Sequence, residues 1–216
     1  MLSTPLENEM YRPEAFSENN LQAIYQLIQD NPFAMIVTTD QGQPFVSHLP
    51  LMFEPDDNGK GKIIGHMARA NPQWQHLAEG QQALVVFQGP HAYVSPSWYE
   101  VPDEAVGPTW NYAVVHISGK TKLIEDQDAL RDRLQQLTQT HEAAFAKPWQ
   151  LNLDDRKRRN LLKMIVGFEM NIEDINAKFK LSQNRSQTDR KNVINQLSQS
   201  TNSLDIAVAE LMKSND

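Results

Sequence analysis

Four short apolar, β-rich runs follow one another early in the chain, at Phe33 to Thr39, Phe45 to Phe53, Lys62 to Met67 and Gln82 to Phe87. The first links between them, Asp40 to Pro44 and Pro55 to Gly61, are rich in Gly, Asp and Pro and read as turns of several residues. Parallel neighbours need a crossover of a dozen or more residues, so links this short dictate antiparallel pairing. After a break at Gly89-Pro90 the pattern resumes at His91 to Val94, Trp110 to Leu123 and Met164 to Ile172. Residues 95 to 109 carry Pro96, Pro102 and Pro108 and read as an ordered loop.

Helical spacing is confined to the periphery. Leu21, Ile24, Tyr25 and Ile28 follow Ser17 as N-cap and stop at Asn31-Pro32. A short helix over Gln73 to Leu77 comes next, then one carrying Leu130, Leu134 and Leu137 behind Asp126 or Asp128. A further helix is expected around 154–163, and two polar ones near 188–198 and 203–213. Strands in the middle and helices outside predict a mainly β fold with peripheral helices (α+β), a closed barrel or a sandwich.

The chain has 216 residues and no cysteine, which excludes disulfides, thiolate nucleophiles and cysteine metal sites. No apolar run reaches the roughly 18 residues that span a bilayer, and the N-terminal stretch lacks the basic start and apolar core of a secretory signal. The expected address is therefore cytoplasmic. Asp and Glu number 27 against 20 Lys and Arg, a net charge of −7. Binding DNA unaided draws on a basic surface, so direct DNA binding is not expected. Arg156 to Arg159 is the most basic stretch, read as a solvated helix face or a phosphate-contacting patch. The six histidines form no HxH or HExxH pattern, and no metal is expected. Ser95 and Ser97 lie near His91 without the glycine elbow of a serine nucleophile.

Three clusters carry possible chemistry. Gly65-His-Met-Ala-Arg-Ala-Asn71 joins a strand end to a short helix and brings an imidazole, a guanidinium and an amide together. Such a corner suits a phosphate, or else Asn71 caps the helix and Arg69 pairs with a surface carboxylate. His91 to Tyr99 and Pro108 to Tyr112 gather tryptophans and tyrosines, either as stacking walls for a flat heteroaromatic ligand or as anchors of a barrel rim. Lys178 to Arg185 ends the last strand with three cations, a solvated strand end or an anion site.

Eight motifs in collinear order resemble those of the PaiB-type FMN-binding negative transcriptional regulators: Met10-Tyr-Arg-Pro13, Asn31-Pro-Phe-Ala34, Ser47-His-Leu-Pro50, Gly65 to Asn71, Phe87 to Tyr93, Ser95-Pro-Ser-Trp-Tyr99, Pro108-Thr-Trp-Asn-Tyr112 and Lys180-Leu-Ser-Gln-Asn-Arg185. The resemblance implies an antiparallel FMN-binding split barrel over residues 1–185, similar to the pyridoxamine-phosphate-oxidase-like flavoproteins, with a helical extension over 186–216. It further implies a homodimer with FMN at the interface and a role in negative transcriptional control, through a protein partner in view of the charge. By motif position, His66, Arg69 and Asn71 would hold the phosphate or ribityl chain, and Ser47 and His48 would lie near the isoalloxazine. Trp110, Asn111, Gln183 and Arg185 would close the site from the other subunit. The alternative is an FMN-dependent oxidoreductase acting on a small molecule. A haem-handling split barrel is a third reading and needs His116 or His91 as axial ligand.

Overall fold

The computed structural model describes residues 10–56, 60–102, 107–153 and 160–215. Its strands are β1 (Ser17–Glu18), β2 (Phe33–Asp40), β3 (Gln43–Pro50), β4 (Met52–Glu54), β5 (Lys62–Ala68), β6 (Gln82–Val94), β7 (Thr109–Ile124) and β8 (Ile165–Lys180). They form one sheet in the order β3-β2-β6-β7-β8-β5-β4, with β1 on β8; β1 and β8, β2 and β3, β2 and β6, β4 and β5, and β5 and β8 pair antiparallel. The helices are α1 (Leu21–Asp30), α2 (Gln73–Ala78), α3 (Gln127–Glu142), α4 (Gln187–Ser198) and α5 (Ser203–Ser214). This is the mainly β, antiparallel split-barrel fold with peripheral helices that the resemblance implies, and the sheet is not the closed barrel that the strand pattern alone allows. No described helix is long and apolar enough to cross a membrane.

The chain divides into two compact units, and β6, β7 and β8 each contribute a part to both. The first unit comprises Met1–Asn31, Phe87–His116 and Asn176–Asp216. In it α1 buries Ile24, Leu27 and Ile28, and the paired helices α4 and α5 bury Val193, Ile194, Leu197, Val208, Ala209 and Met212. The second unit comprises Pro32–Val86 and Ile117–Ile175. Its core includes Ile36, Ile63, Met67, Leu77, Val85, Ile117, Phe168 and Met170, and a smaller cluster of Leu130, Leu153 and Leu162 lies under α3.

Local differences from the expectation have physical reasons. Asn20, not Ser17, caps α1, because its side chain accepts from the Gln22 and Ala23 N–H groups; Ser17 instead pairs with Lys178 in β1. The first hairpin closes in two residues rather than several. Asp40 pairs with Gln43, while Gln41 and Gly42 take φ of 48° and 80°, the doubly left-handed turn whose twist suits a hairpin. Gly89-Pro90 does not end a strand: β6 is continuous, and its ladder with β2 stops at Val86, before the proline that could not donate to it. β8 likewise runs on past Ile172 to Lys180. Asp126 caps α3 as expected. The basic stretch Arg156 to Arg159, and with it most of the helix expected around 154–163, lies outside the described residues.

Candidate functional site

The strand-to-helix corner belongs to the second unit. Gly65 is required there by packing: a Cβ would stand 2.5 Å from Leu51 Cδ2 and 2.8 Å from Phe168 Cζ. Strand alternation puts Lys62, Ile64 and His66 on one face of β5 and Ile63, Gly65 and Met67 on the other. The His66 ring accordingly lines a cavity with Met52, Ile64, Leu130, Leu134 and Leu137, of about 10 Å³, enough for a single water. Burial lowers its pKa below 6.5, so the ring is neutral at pH 7.

Arg69 donates from Nε to the Lys163 carbonyl (3.0 Å) and from Nη2 to the Ile165 carbonyl (3.1 Å). Its backbone N–H bonds to the Met164 carbonyl. The guanidinium has five N–H groups, and three have no acceptor among the described residues. Arg69 borders a cleft of about 510 Å³ with Leu123, Ile124, Glu125, Leu162 and Lys163, a volume within the range of small-molecule sites.

Asn71 and Ser47 meet directly, Asn71 Nδ2 donating to Ser47 Oγ at 2.8 Å. The Asn71 Oδ1 accepts from the Gln73 N–H, so a first-turn donor of α2, whose N-cap is Pro72, is occupied. His48, one residue from Ser47, lies on the opposite face of β3 and stacks on exposed Phe33 at 6.3 Å.

Beneath the corner lies a polar network that sequence reasoning missed. Fully buried Gln73 donates from Nε2 to the Ile36 and Phe45 carbonyls at 3.1 and 3.0 Å and sits 3.1 Å from Thr38 Oγ1, which in turn meets His76 Nδ1 at 2.9 Å. Gln73 Oε1 is buried without a partner among the described residues. This network fixes α2 against β2 and β3, and therefore fixes the corner. A glutamine one residue past a proline gives no local signal of such a role.

The remaining candidates belong to the first unit. Trp110 is 52% exposed and forms an aromatic cluster with His91 (6.2 Å) and Tyr93 (6.0 Å). Gln88, His91, Trp110 and Tyr112 line a pocket of about 310 Å³, and His91 Nδ1 is buried with no described partner. Burial lowers the pKa of His116.

Asn111 is fully buried. Its Nδ2 donates to Ser182 Oγ at 2.9 Å, and its Oδ1 accepts from the same hydroxyl at 3.2 Å. Ser182 has a φ of 63°, a left-handed conformation that non-glycine residues adopt at a cost. The Gln183 amide is engaged with its own strand end, accepting from the Leu181 N–H and donating to the Phe179 carbonyl. These bonds set the turn that carries Arg185, whose guanidinium stacks on Tyr99 at 4.5 Å.

Exposed rings beside a pocket, and cations with spare donors, suit a planar ligand bearing a phosphate. Among the described residues no group of three or more His, Asp or Glu could hold a metal ion. A sequence-family profile described as "Putative FMN-binding domain" matches residues 10–174. The chain belongs to this FMN-binding family. The family's cofactor, FMN, is thus the one that the motifs imply, and the exposed rings and unoccupied donors are compatible with it. Within the family, the "Protease synthase and sporulation protein PAI 2" of Bacillus subtilis (strain 168) is 42% identical over 206 residues, 94% of this chain and 97% of that protein. The PaiB-type resemblance is thereby shown.

Among solved structures, the FAD and heme binding protein from Mycobacterium smegmatis aligns with a TM-score of 0.59 at 18% identity, covering 76% of this chain and 73% of that one. The flavocytochrome Anf3 from Azotobacter vinelandii aligns with the same TM-score at 14% identity, covering 76% and 69%. At these identities they establish the fold alone.

Proposed function

We propose that two copies of this chain pair to hold FMN across their interface, and that the dimer acts in negative transcriptional control through another protein. One observation carries the pairing. In the second unit the register places Met35 opposite Val86, and Val37 opposite both Val46 and Leu84, so these side chains share one face of the sheet with Phe33. None of the six is buried; Phe33 is 68% and Val46 45% exposed. The face ends at β3, the terminal strand of the sheet order. A continuous apolar sheet face beside a free edge is a surface that a second copy would cover.

In this reading Arg69 binds the phosphate with its spare N–H groups, and Asn71 with Ser47 lines the ribityl chain. His48, on the outward face, approaches the isoalloxazine, and neutral His66 supports the strand that delivers Arg69. Trp110 and Arg185 close the site from the partner subunit, with Asn111 and Gln183 bracing their segments. Bound FMN supplies hydride or single-electron transfer. The chain's part is to orient the ring and to keep water from it.

The regulatory role draws on the PaiB-type membership, and the net charge of −7 favours action through a protein over contact with DNA, in the cytoplasm. The protein with bound FMN should elute at twice its 24.6 kDa mass by light scattering, and it should leave the mobility of duplex DNA unchanged. A monomer carrying flavin would overturn the pairing. The open pocket beside Trp110 favours a second reading, an oxidoreductase for a small molecule, which NAD(P)H consumption by the flavin-loaded protein would reveal.

A further inference from the structure

We infer that the first unit binds a second ligand, a small planar aromatic oxyanion, stacked against His91, Trp110 and Tyr112 beside the flavin, with its charged group held by Lys178 and Lys180 and flanked by Arg185. The inference rests on the FMN reading, because it names the class of molecule that would meet the flavin.

The first unit holds a buried charge without a described counter-charge. Lys178 is only 7% exposed, and lysines buried to this degree are normally paired with a carboxylate. Here its ammonium donates to the Tyr11 carbonyl at 3.0 Å and lies over the Tyr11 and Tyr112 rings at 5.1 and 5.5 Å. Among the described residues no carboxylate comes within ion-pair distance of Lys178, Lys180 or Arg185. The acid on the neighbouring strand, Glu18, is engaged by the Asn20 N–H and the Asn215 amide.

Two further cations join this one. Lys180, two residues along β8, donates to Thr109 Oγ1 at 2.6 Å and to the Trp110 carbonyl at 2.7 Å and lies 5.7 Å from the Phe16 ring centroid, which leaves one N–H without an acceptor among the described residues. Its pKa is lowered by burial, and further by the charges of Lys178 and Arg185, so the three cations feel one another. Arg185 makes no described side-chain hydrogen bond; its contact is the Tyr99 ring. Three mutually repelling cations with spare donors form an oxyanion site.

The aromatic pocket adjoins them. Tyr112 lies under Lys178 and also lines the 310 Å³ pocket, and Lys180 grips the backbone of Trp110. His91 Nδ1, without a partner among the described residues, adds a polar anchor in the same cluster. Rings, one imidazole nitrogen and three cations define a flat molecule with a phosphate or carboxylate at one end.

Calorimetric titration of FMN-loaded protein with phenyl phosphate, benzoate, inorganic phosphate and neutral benzamide tests this. Phenyl phosphate or benzoate should bind at least about tenfold more tightly than benzamide, and the stronger of the two identifies the oxyanion. Lys180→Met should weaken that binding about tenfold or more while the FMN titration stays unchanged, and Lys178→Met should do the same. Equal binding of benzamide, or binding by wild type that both variants retain, would overturn the inference. So would inorganic phosphate binding as tightly as the aromatic probes, which would leave an ion site only. If FMN affinity falls in step with probe affinity, the cations hold the cofactor's own phosphate, and the inference fails while the FMN reading stands. If wild type takes up no FMN, that reading falls, and titration of the flavin-free protein still decides this one.

Discussion

Replacing Asn111 by leucine separates a brace from a ligand. Leucine keeps asparagine's branched skeleton, so the change removes polarity, while its two methyl groups add some bulk. The Ser182 hydroxyl, 3% exposed, has its described hydrogen bonds only with Asn111. In Asn111→Leu it is left buried and unsatisfied, at about 1–3 kcal/mol. Taking about 2 kcal/mol, a chain of this size loses about 4–8 °C in Tm. Ser182→Ala keeps the left-handed backbone and leaves the Asn111 amide with only its weak bond to Met212 Sδ at 3.4 Å, with a similar loss. The double variant removes both partners and should recover to within about 1 kcal/mol of wild type. Urea unfolding of the flavin-free protein at fixed concentration measures all three. A single variant within about 0.5 kcal/mol of wild type, or a double variant whose loss equals the sum of the singles, would refute the reasoning.

Arg69→Ala should weaken FMN binding by about 1.5–3 kcal/mol through loss of a charge-assisted phosphate contact, read by flavin fluorescence; unchanged affinity removes Arg69 from the site. Val46→Asp places a charge on the exposed sheet face and should shift the light-scattering mass toward that of one chain, whereas an unaltered mass excludes that face from pairing. Burial alone would raise the Glu169 carboxyl, but the Lys122 hydrogen bond and the charges of Lys62 and Lys122 outweigh it and hold the group below 4.5. Its stabilising contribution is therefore present above that value and disappears as pH falls through the lower folded pKa. Glu169→Gln should flatten the acid limb of stability measured by urea midpoints; an acid limb as steep as that of wild type would contradict the assignment.

Much of the strand framework was legible because antiparallel links are short and carry their own residues. Asp126 announced the cap of α3, and the runs at Phe33 and Lys62 fell where β2 and β5 lie. Proline and glycine misled where context overrode them: Gly89-Pro90 lies inside β6, and Gln41-Gly42 closes a tighter turn than the surrounding polar residues imply. The corner was visible as a motif, yet its internal arrangement was not. Adjacency in sequence hides the alternation that sends Ser47 and His48 to opposite faces of β3. The Gln73 network and the Asn111–Ser182 pair join residues distant in sequence, and no local pattern reports such a contact. The cations of Lys178 to Arg185 could be read from the chain, but the lack of a counter-charge is a property of the folded surroundings.

Mixed dimers test the shared site most directly. Arg69→Ala damages one half of the proposed site and Arg185→Ala the other, so each pure variant should bind FMN poorly. Unfolding and refolding the two together makes mixed pairs in which one site is wholly intact. At an FMN concentration that fills wild-type sites but stays below the Kd of the damaged ones, bound flavin should then recover to about a quarter of the wild-type amount, as random pairing dictates. If mixing restores nothing beyond the two pure variants, each chain builds its flavin site alone and the account is wrong.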